Sequence, residues 1–172
     1  MIFRIVAVGF LLVVAACGGV TPTQVVQVPS EKMKRLSSAY VSQPENGRYQ
    51  TKYYAESGRQ VAAEVLAAFA GHLGKIQQAQ GVESQDAALS KARKLDVDYL
   101  IYPEILHWED RATEWSGRPD RLSLRVTVFK TSDGTQLSSG VVGGNSSWFT
   151  LGGDHPQDML PNVLKPYVTG LF

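Results

Sequence analysis

From Arg59 onward, apolar residues return at helical spacing: Val61, Val65, Leu66, Phe69 and Leu73 form one stripe, and Gly74 supplies a stop. Ser57 stands where a helix N-cap is needed, with Gln60 three residues on as its capping-box partner. Ser84 caps a second predicted helix, whose inner face carries Ala88, Leu89, Ala92 and Leu95. Short strands are predicted at residues 39–42 and 75–79. Residues 97–103, "VDYLIYP", are apolar on both faces, as a strand covered on both sides should be. Strand, helix, strand, helix, strand is the pattern of parallel pairing through right-handed crossovers.

The second half has a different rhythm. Leu122, Leu124, Val126 and Val128 alternate with Ser123, Arg125 and Thr127, which predicts a sheet with one wet face. "TSDG", residues 131–134, turns the chain, residues 136–148 return it, and Gly143 with Gly144 suggests a bulge. At the end Leu160, Val163, Leu164, Tyr167, Val168 and Leu171 recur at helical spacing. Pro161 and Pro166 interrupt them, so two short helical pieces are expected. The predicted fold is α/β (α+β). A single mixed sheet has a βαβαβ half followed by an antiparallel meander, with helices mainly on one face and a C-terminal helix.

The start of the chain changes the picture. Arg4, an apolar stretch from Ile5 to Val14 and the small residues Ala15 and Ala16 have the layout of an export signal. The stretch is short of the roughly 20 apolar residues of a membrane span. Val14-Ala15-Ala16-Cys17 resembles the lipobox of bacterial lipoproteins. That resemblance implies that the Cys17 thiol takes a diacylglyceryl group and becomes the first mature residue, so that acyl chains tether the protein to a membrane without a spanning helix. Gly18 stands where an Asp would resemble an inner-membrane retention signal, which favours the outer membrane. The expected organisation is a signal peptide over residues 1–16, a lipidated tether over 17–37 with an edge-strand candidate at 25–28, and a globular domain over 38–172.

Composition then excludes several classes. The 172 residues carry 17 Lys and Arg against 16 Asp and Glu, and losing Arg4 with the leader cancels the formal charge. A nucleic-acid partner would want a basic excess. Cys17 is the one cysteine, so acylation leaves no thiol for a disulfide, a metal or nucleophilic catalysis. There is no G-x-S-x-G, no H-E-x-x-H and no glycine loop ending in Lys-Ser/Thr.

The element order resembles the α/β domain of envelope lipoproteins of the curli-secretion-channel and penicillin-binding-protein-activator type. "YLIYPEILHWEDRATEWSGRPDRL" together with "GGDHPQDML" is similar to an uncharacterised family of proteobacterial lipoproteins, a domain of unknown function. That resemblance implies a secreted lipoprotein domain and no activity.

Candidate chemistry concentrates in residues 104–121. Trp108 and Trp115 can stack on a sugar face or anchor a partner, while Glu109, Asp110, Arg111 and Arg118 orient it. Asp154 and His155 in "GGDHPQD" extend this candidate surface. Asp154 also suits the cap of a helix begun by Pro156, and Asp158 suits its positive end. Asp154, His155 and Asp158 with His107 match no metal-ligand signature, so neither a metal nor a cofactor is expected. The long loop 43–58 supplies Arg48, Tyr49, Tyr53 and Tyr54 as second-rank binding candidates, at the carboxyl end of a predicted parallel strand. Glu104 with Glu109 or Glu114 would be the acids of a saccharide hydrolase, a reaction that needs one of them with a raised pKa. The leading expectation is a non-enzymatic accessory domain, lipid-anchored and periplasm-facing, that binds an envelope protein or peptidoglycan. An envelope saccharide hydrolase and a purely structural outer-membrane protein are the alternatives.

Overall fold

The computed structural model describes residues 21–26, 31–111, 119–146 and 155–172. Its first half follows the predicted alternation. Strand β1 (Thr21–Val26) precedes β2 (Ser38–Gln43), and a two-stranded ribbon, β3 (Arg48–Tyr49) and β4 (Lys52–Tyr53), occupies the long loop. Helix α1 (Ser57–Ala70), β5 (Lys75–Val82), α2 (Gln85–Lys94) and β6 (Tyr99–Glu109) follow, then β7 (Arg121–Lys130), β8 (Gln136–Asn145) and α3 (Pro156–Leu171).

The main sheet has six strands in the order β1-β8-β7-β6-β2-β5. β2 runs parallel to both β5 and β6, and the other pairings are antiparallel. The first crossover moves outward from β2 to β5, and the second returns past β2 to β6. Right-handed crossovers that reverse direction put their helices on opposite faces of the sheet. α1 accordingly lies with α3 over Ala39, Val41, Ile101, Leu124, Val126 and Val142. Among the described residues, α2 covers Tyr40, Leu100 and Phe129 from the other side, through Ala88 and Ala92. Two of the three described helices share the larger core, as expected.

Several local expectations are corrected. Ser57 is the first residue of α1, and the N-cap position falls to Glu56, whose φ of 69° is left-handed. The Ser57 hydroxyl is committed to the loop: it accepts from the Gly47 N–H at 2.8 Å and donates to the Tyr54 carbonyl at 2.8 Å. Asn46 Oδ1 instead accepts from the Gly58 N–H at 2.8 Å, so a residue remote in sequence satisfies the helix end. Ser84 does cap α2, accepting from the Ala87 N–H at 3.3 Å.

Gly143 is no bulge, since it pairs in unbroken register with Thr23 and Ser123. A Cβ there would lie 2.6 Å from the Leu122 carbonyl oxygen, so close strand approach explains the glycine. α3 is one helix, with Pro161 and Pro166 inside it. Both prolines are exposed, whereas Met159, Leu160, Val163, Leu164, Tyr167, Val168 and Leu171 are buried. The carbonyls that lose a donor therefore open to water, and the apolar stripe holds the helix together. The stretch expected as a tether contributes β1 as an edge strand beside β8, and Met33, 3% exposed, donates its N–H to the Leu171 carbonyl at 2.8 Å.

Candidate functional site

The site begins with one extra residue. β6 pairs regularly with β7 except between Ile105 and His107, where Leu106 has no partner. Residues of a strand normally alternate between faces, and a bulge resets that alternation. Here Ile105 and Trp108 oppose Leu124 and Leu122 on the core face, while Glu104, His107 and Glu109 oppose Arg125, Ser123 and Arg121 on the other. A regular strand would have separated Glu104 from His107. The bulge gathers Glu104, His107 and Glu109 on the face that α2 only partly covers.

Beside them lies an open cleft of about 600 Å³ at the carboxyl ends of the three parallel strands. Pro44 to Arg48 follow β2, Val82 to Ser84 end β5, and Tyr102 to His107 belong to β6. Ligands of parallel α/β sheets gather at such ends, where side chains and loops from several strands converge. Glu45, Arg48, Glu83, Glu104 and His107 bring charge and hydrogen-bonding capacity, and Tyr102 brings a ring. Burial, then Glu104 and Glu45, push the Tyr102 phenol up, so it stays a neutral donor at neutral pH. Glu83 is anchored by the Tyr40 hydroxyl at 2.7 Å and by Lys91 at 2.9 Å. Glu104 meets Arg125 at 3.3 Å across the strands.

His107 links this cleft to a second polar group at the base of the β6–β7 connection. Its Nε2 lies 3.1 Å from Glu109 Oε2, and its ring meets Tyr49 edge-on at 5.2 Å. The Arg111 guanidinium donates to the other Glu109 oxygen. Burial of Glu109, 1% exposed, disfavours its charge, but the bonds from His107 and Arg111 outweigh that and hold the carboxyl below its usual range. Asp110 turns the other way. Its carboxylate lies 3.1 Å from His155 Nδ1, while its carbonyl accepts from Lys52 at 2.9 Å. Asp120 Oδ1 accepts from the Arg111 N–H at 2.7 Å. Burial raises the Asp120 carboxyl; the Arg111 N–H opposes this and the Asp110 charge adds to it, with a net shift upward.

The predicted residues thus separate into groups. Trp108 is a core residue, 2% exposed, and Gly47 lies so close above it that a Cβ would come within 2.5 Å of the Trp108 Cβ. It presents no surface ring for stacking. Arg48 lines the cleft and stacks over Tyr53 at 5.2 Å, and Tyr54 is buried with its hydroxyl against the Asp110 backbone. Glu109, Asp110, Arg111 and His155 do come together, beside the cleft. Trp115, Arg118, Asp154, Glu114 and Cys17 lie outside the described residues. Asp120, Tyr102 and Glu83 escaped the sequence reading. "RPDRL" offered only an acid just before a strand, with nothing to say that its carboxylate turns back toward Asp110.

Residues 31–171 match the family described as Domain of unknown function (DUF4823). The chain belongs to that family. The motif-bearing segments that suggested an uncharacterised lipoprotein-type family lie inside this match. No curated protein matches the sequence. Among solved structures, the PelC dodecamer from Paraburkholderia phytofirmans superposes with a TM-score of 0.68 at 12% identity, covering 88% of this chain and 97% of that one. A leucine-to-methionine variant of the same dodecamer gives 0.66 at 12% identity over 89% and 98%. Lipoprotein GNA1162 from Neisseria meningitidis gives 0.50 at 14% identity over 77% and 96%. At these identities the likeness is one of fold. Among the described residues no helix is long and apolar enough to cross a membrane.

Proposed function

We propose that this DUF4823 protein is a cell-envelope lipoprotein, held through Cys17 on the periplasm-facing side of the outer membrane, whose cleft binds cell-wall glycan without turning it over. The observation that carries the reading is the cleft itself. It is concave and open, and it joins the carboxyl ends of β2, β5 and β6 around the polar groups of Arg48, Tyr102, Glu104 and His107. A ring with hydroxyl-binding acids and a guanidinium suits a sugar chain. The fold shared with lipoprotein GNA1162 suits a lipid-anchored envelope location. A hydrolase would need an acid with a raised pKa beside a second carboxylate. Of the acids at the cleft and its edge, Glu109 is held ionised and Glu104 is paired with Arg125. The raised Asp120 faces Asp110, but neither lines the cleft, which supports binding without catalysis there.

Sedimentation with purified peptidoglycan sacculi tests the reading. Wild-type protein should co-sediment, and a Tyr102→Ala, Arg48→Ala double variant should stay in the supernatant with its circular dichroism unchanged. Equal sedimentation of both, or release of soluble sugar by the wild type, overturns it. If the wild type ignores sacculi and crosslinks to one envelope protein through the cleft, the partner is a protein and the glycan reading fails. Cys17→Ala should move the protein from the membrane fraction to the soluble fraction, and an unchanged distribution would remove the anchor.

A further inference from the structure

Away from the cleft floor, three separate elements deliver potential metal ligands to one point. Asp110 directly follows the last residue of β6, Asp120 directly precedes the first residue of β7, and His155 occupies the N-cap position of α3. One ligand atom from each lies within 4.8 Å of the other two. We propose that Asp110, Asp120 and His155 form a binding site for a divalent transition-metal ion of the zinc class, which clamps the start of α3 to the base of the β6–β7 connection.

Proximity alone would not carry this, because acids and histidines often meet at surfaces. The second observation is the state of Asp120. Its side chain belongs to a residue only 6% exposed, and its carboxylate faces that of Asp110. Among the described residues its one bonded partner is the Arg111 backbone N–H. Two nearby cations point elsewhere: the Arg111 guanidinium is drawn to Glu109, and Lys52 is bonded to the Asp110 carbonyl oxygen. A buried carboxylate facing a second carboxylate is costly unless paired or coordinated to a metal. Among the described residues, His155 is the cationic-capable side chain bonded to the pair, and imidazole nitrogen is itself a metal ligand.

The donor set selects the ion. One imidazole with two carboxylates suits zinc and its first-row neighbours, whereas calcium and magnesium favour all-oxygen shells. A tetrahedral zinc ion with bonds of about 2.0–2.2 Å holds its ligands roughly 3.4 Å apart. The Asp110–His155 separation of 3.1 Å is close to that spacing, and the Asp120 ligand atom lies within 4.8 Å of both. The bound ion would replace the hydrogen bond between Asp110 and His155, leaving a fourth position for water or an exogenous ligand. This site is independent of the glycan reading and can stand if that reading falls.

The test is titration of the full-length protein, stripped with chelator in detergent, with Zn²⁺, Co²⁺, Mn²⁺ and Ca²⁺ separately. One equivalent of Zn²⁺ should bind saturably and raise the Tm, and Co²⁺ should give the visible absorption of a low-symmetry site. His155→Ala, Asp110→Asn and Asp120→Asn should each weaken Zn²⁺ by about tenfold or more. His72→Ala, on the opposite end of the domain, should leave the titration unchanged. Asp110→Asn and His155→Ala alter more exposed side chains, so they decide the matter if Asp120→Asn does not fold. The proposal is overturned by the absence of saturable Zn²⁺ binding, by binding that survives both of these substitutions, or by preference for Ca²⁺ over Zn²⁺.

Discussion

Asp98 shows how one side chain can tie the two chain segments that start parallel strands. Its carboxylate accepts from the Ser38 N–H and from the Ser38 hydroxyl, each at 2.7 Å, joining the approach to β6 to the start of β2. The Ser38 backbone bond, then its hydroxyl bond, hold the Asp98 carboxyl below its usual range. A carboxyl lowered on folding adds stability that is present above its unfolded pKa and is lost as pH falls through the folded one. Asp98 is exposed, so solvent reduces the effect. Asp98→Asn should therefore cost about 1 kcal/mol at pH 7. The gap between the variants should close as pH drops below about 4. Urea unfolding of both proteins across that range measures it, and a constant gap would show that Asp98 acts through something other than its charge.

At the scale of elements, the two helices flanking the larger core are built on different terms. α1 has a regular apolar stripe and borrows its cap from Asn46 in the preceding loop. α3 keeps its shape despite Pro161 and Pro166, because eight of its sixteen residues are buried and both prolines face solvent. Replacing an exposed helix proline restores a backbone donor without emptying the core. Pro166→Ala should stabilise the fold by roughly 1–2 kcal/mol, after the entropy the unfolded chain regains is subtracted. Thermal melts would register this as a higher Tm, and a lower one would mean that the helix is bent to fit the proline. β6 makes the complementary point. Its unpaired Leu106 sets which side chains enter the core and which face the cleft.

Across the whole molecule, the sheet divides two unequal cores. α1 and α3 together bury Val65, Phe69, Leu160, Leu164 and Tyr167 against one face, whereas α2 inserts only Ala88 and Ala92 fully into the other. Burial stabilises roughly in proportion to apolar area, so α2 is the weaker attachment. Native-state hydrogen exchange should find α2 amides opening below the free energy of global unfolding, while amides of α1, β6 and β7 exchange only with it. Uniform protection across all three helices would contradict this division. Among the described residues, the asymmetry also leaves the part of the sheet bearing Glu104, His107 and Arg125 without a helix over it, where the cleft opens.

The hydrophobic pattern by itself determined most of the architecture. Val61 to Phe69 and Ala88 to Leu95 read as helices, Leu122 to Val128 as a one-sided strand, and the alternating order implied parallel pairing. These follow from periodicity, which is local and survives in one dimension. Tertiary structure decided the rest. No local signal distinguishes the extra residue at Leu106, yet it sends Trp108 into the core and His107 toward the cleft. Pro161 and Pro166 predicted a break because sequence shows the lost hydrogen bond but not the packing that outweighs it. Asp120, Asp110 and His155 meet only because β6, β7 and α3 converge. Their chemistry depends on distance and burial, and neither is a property of a residue's neighbours along the chain.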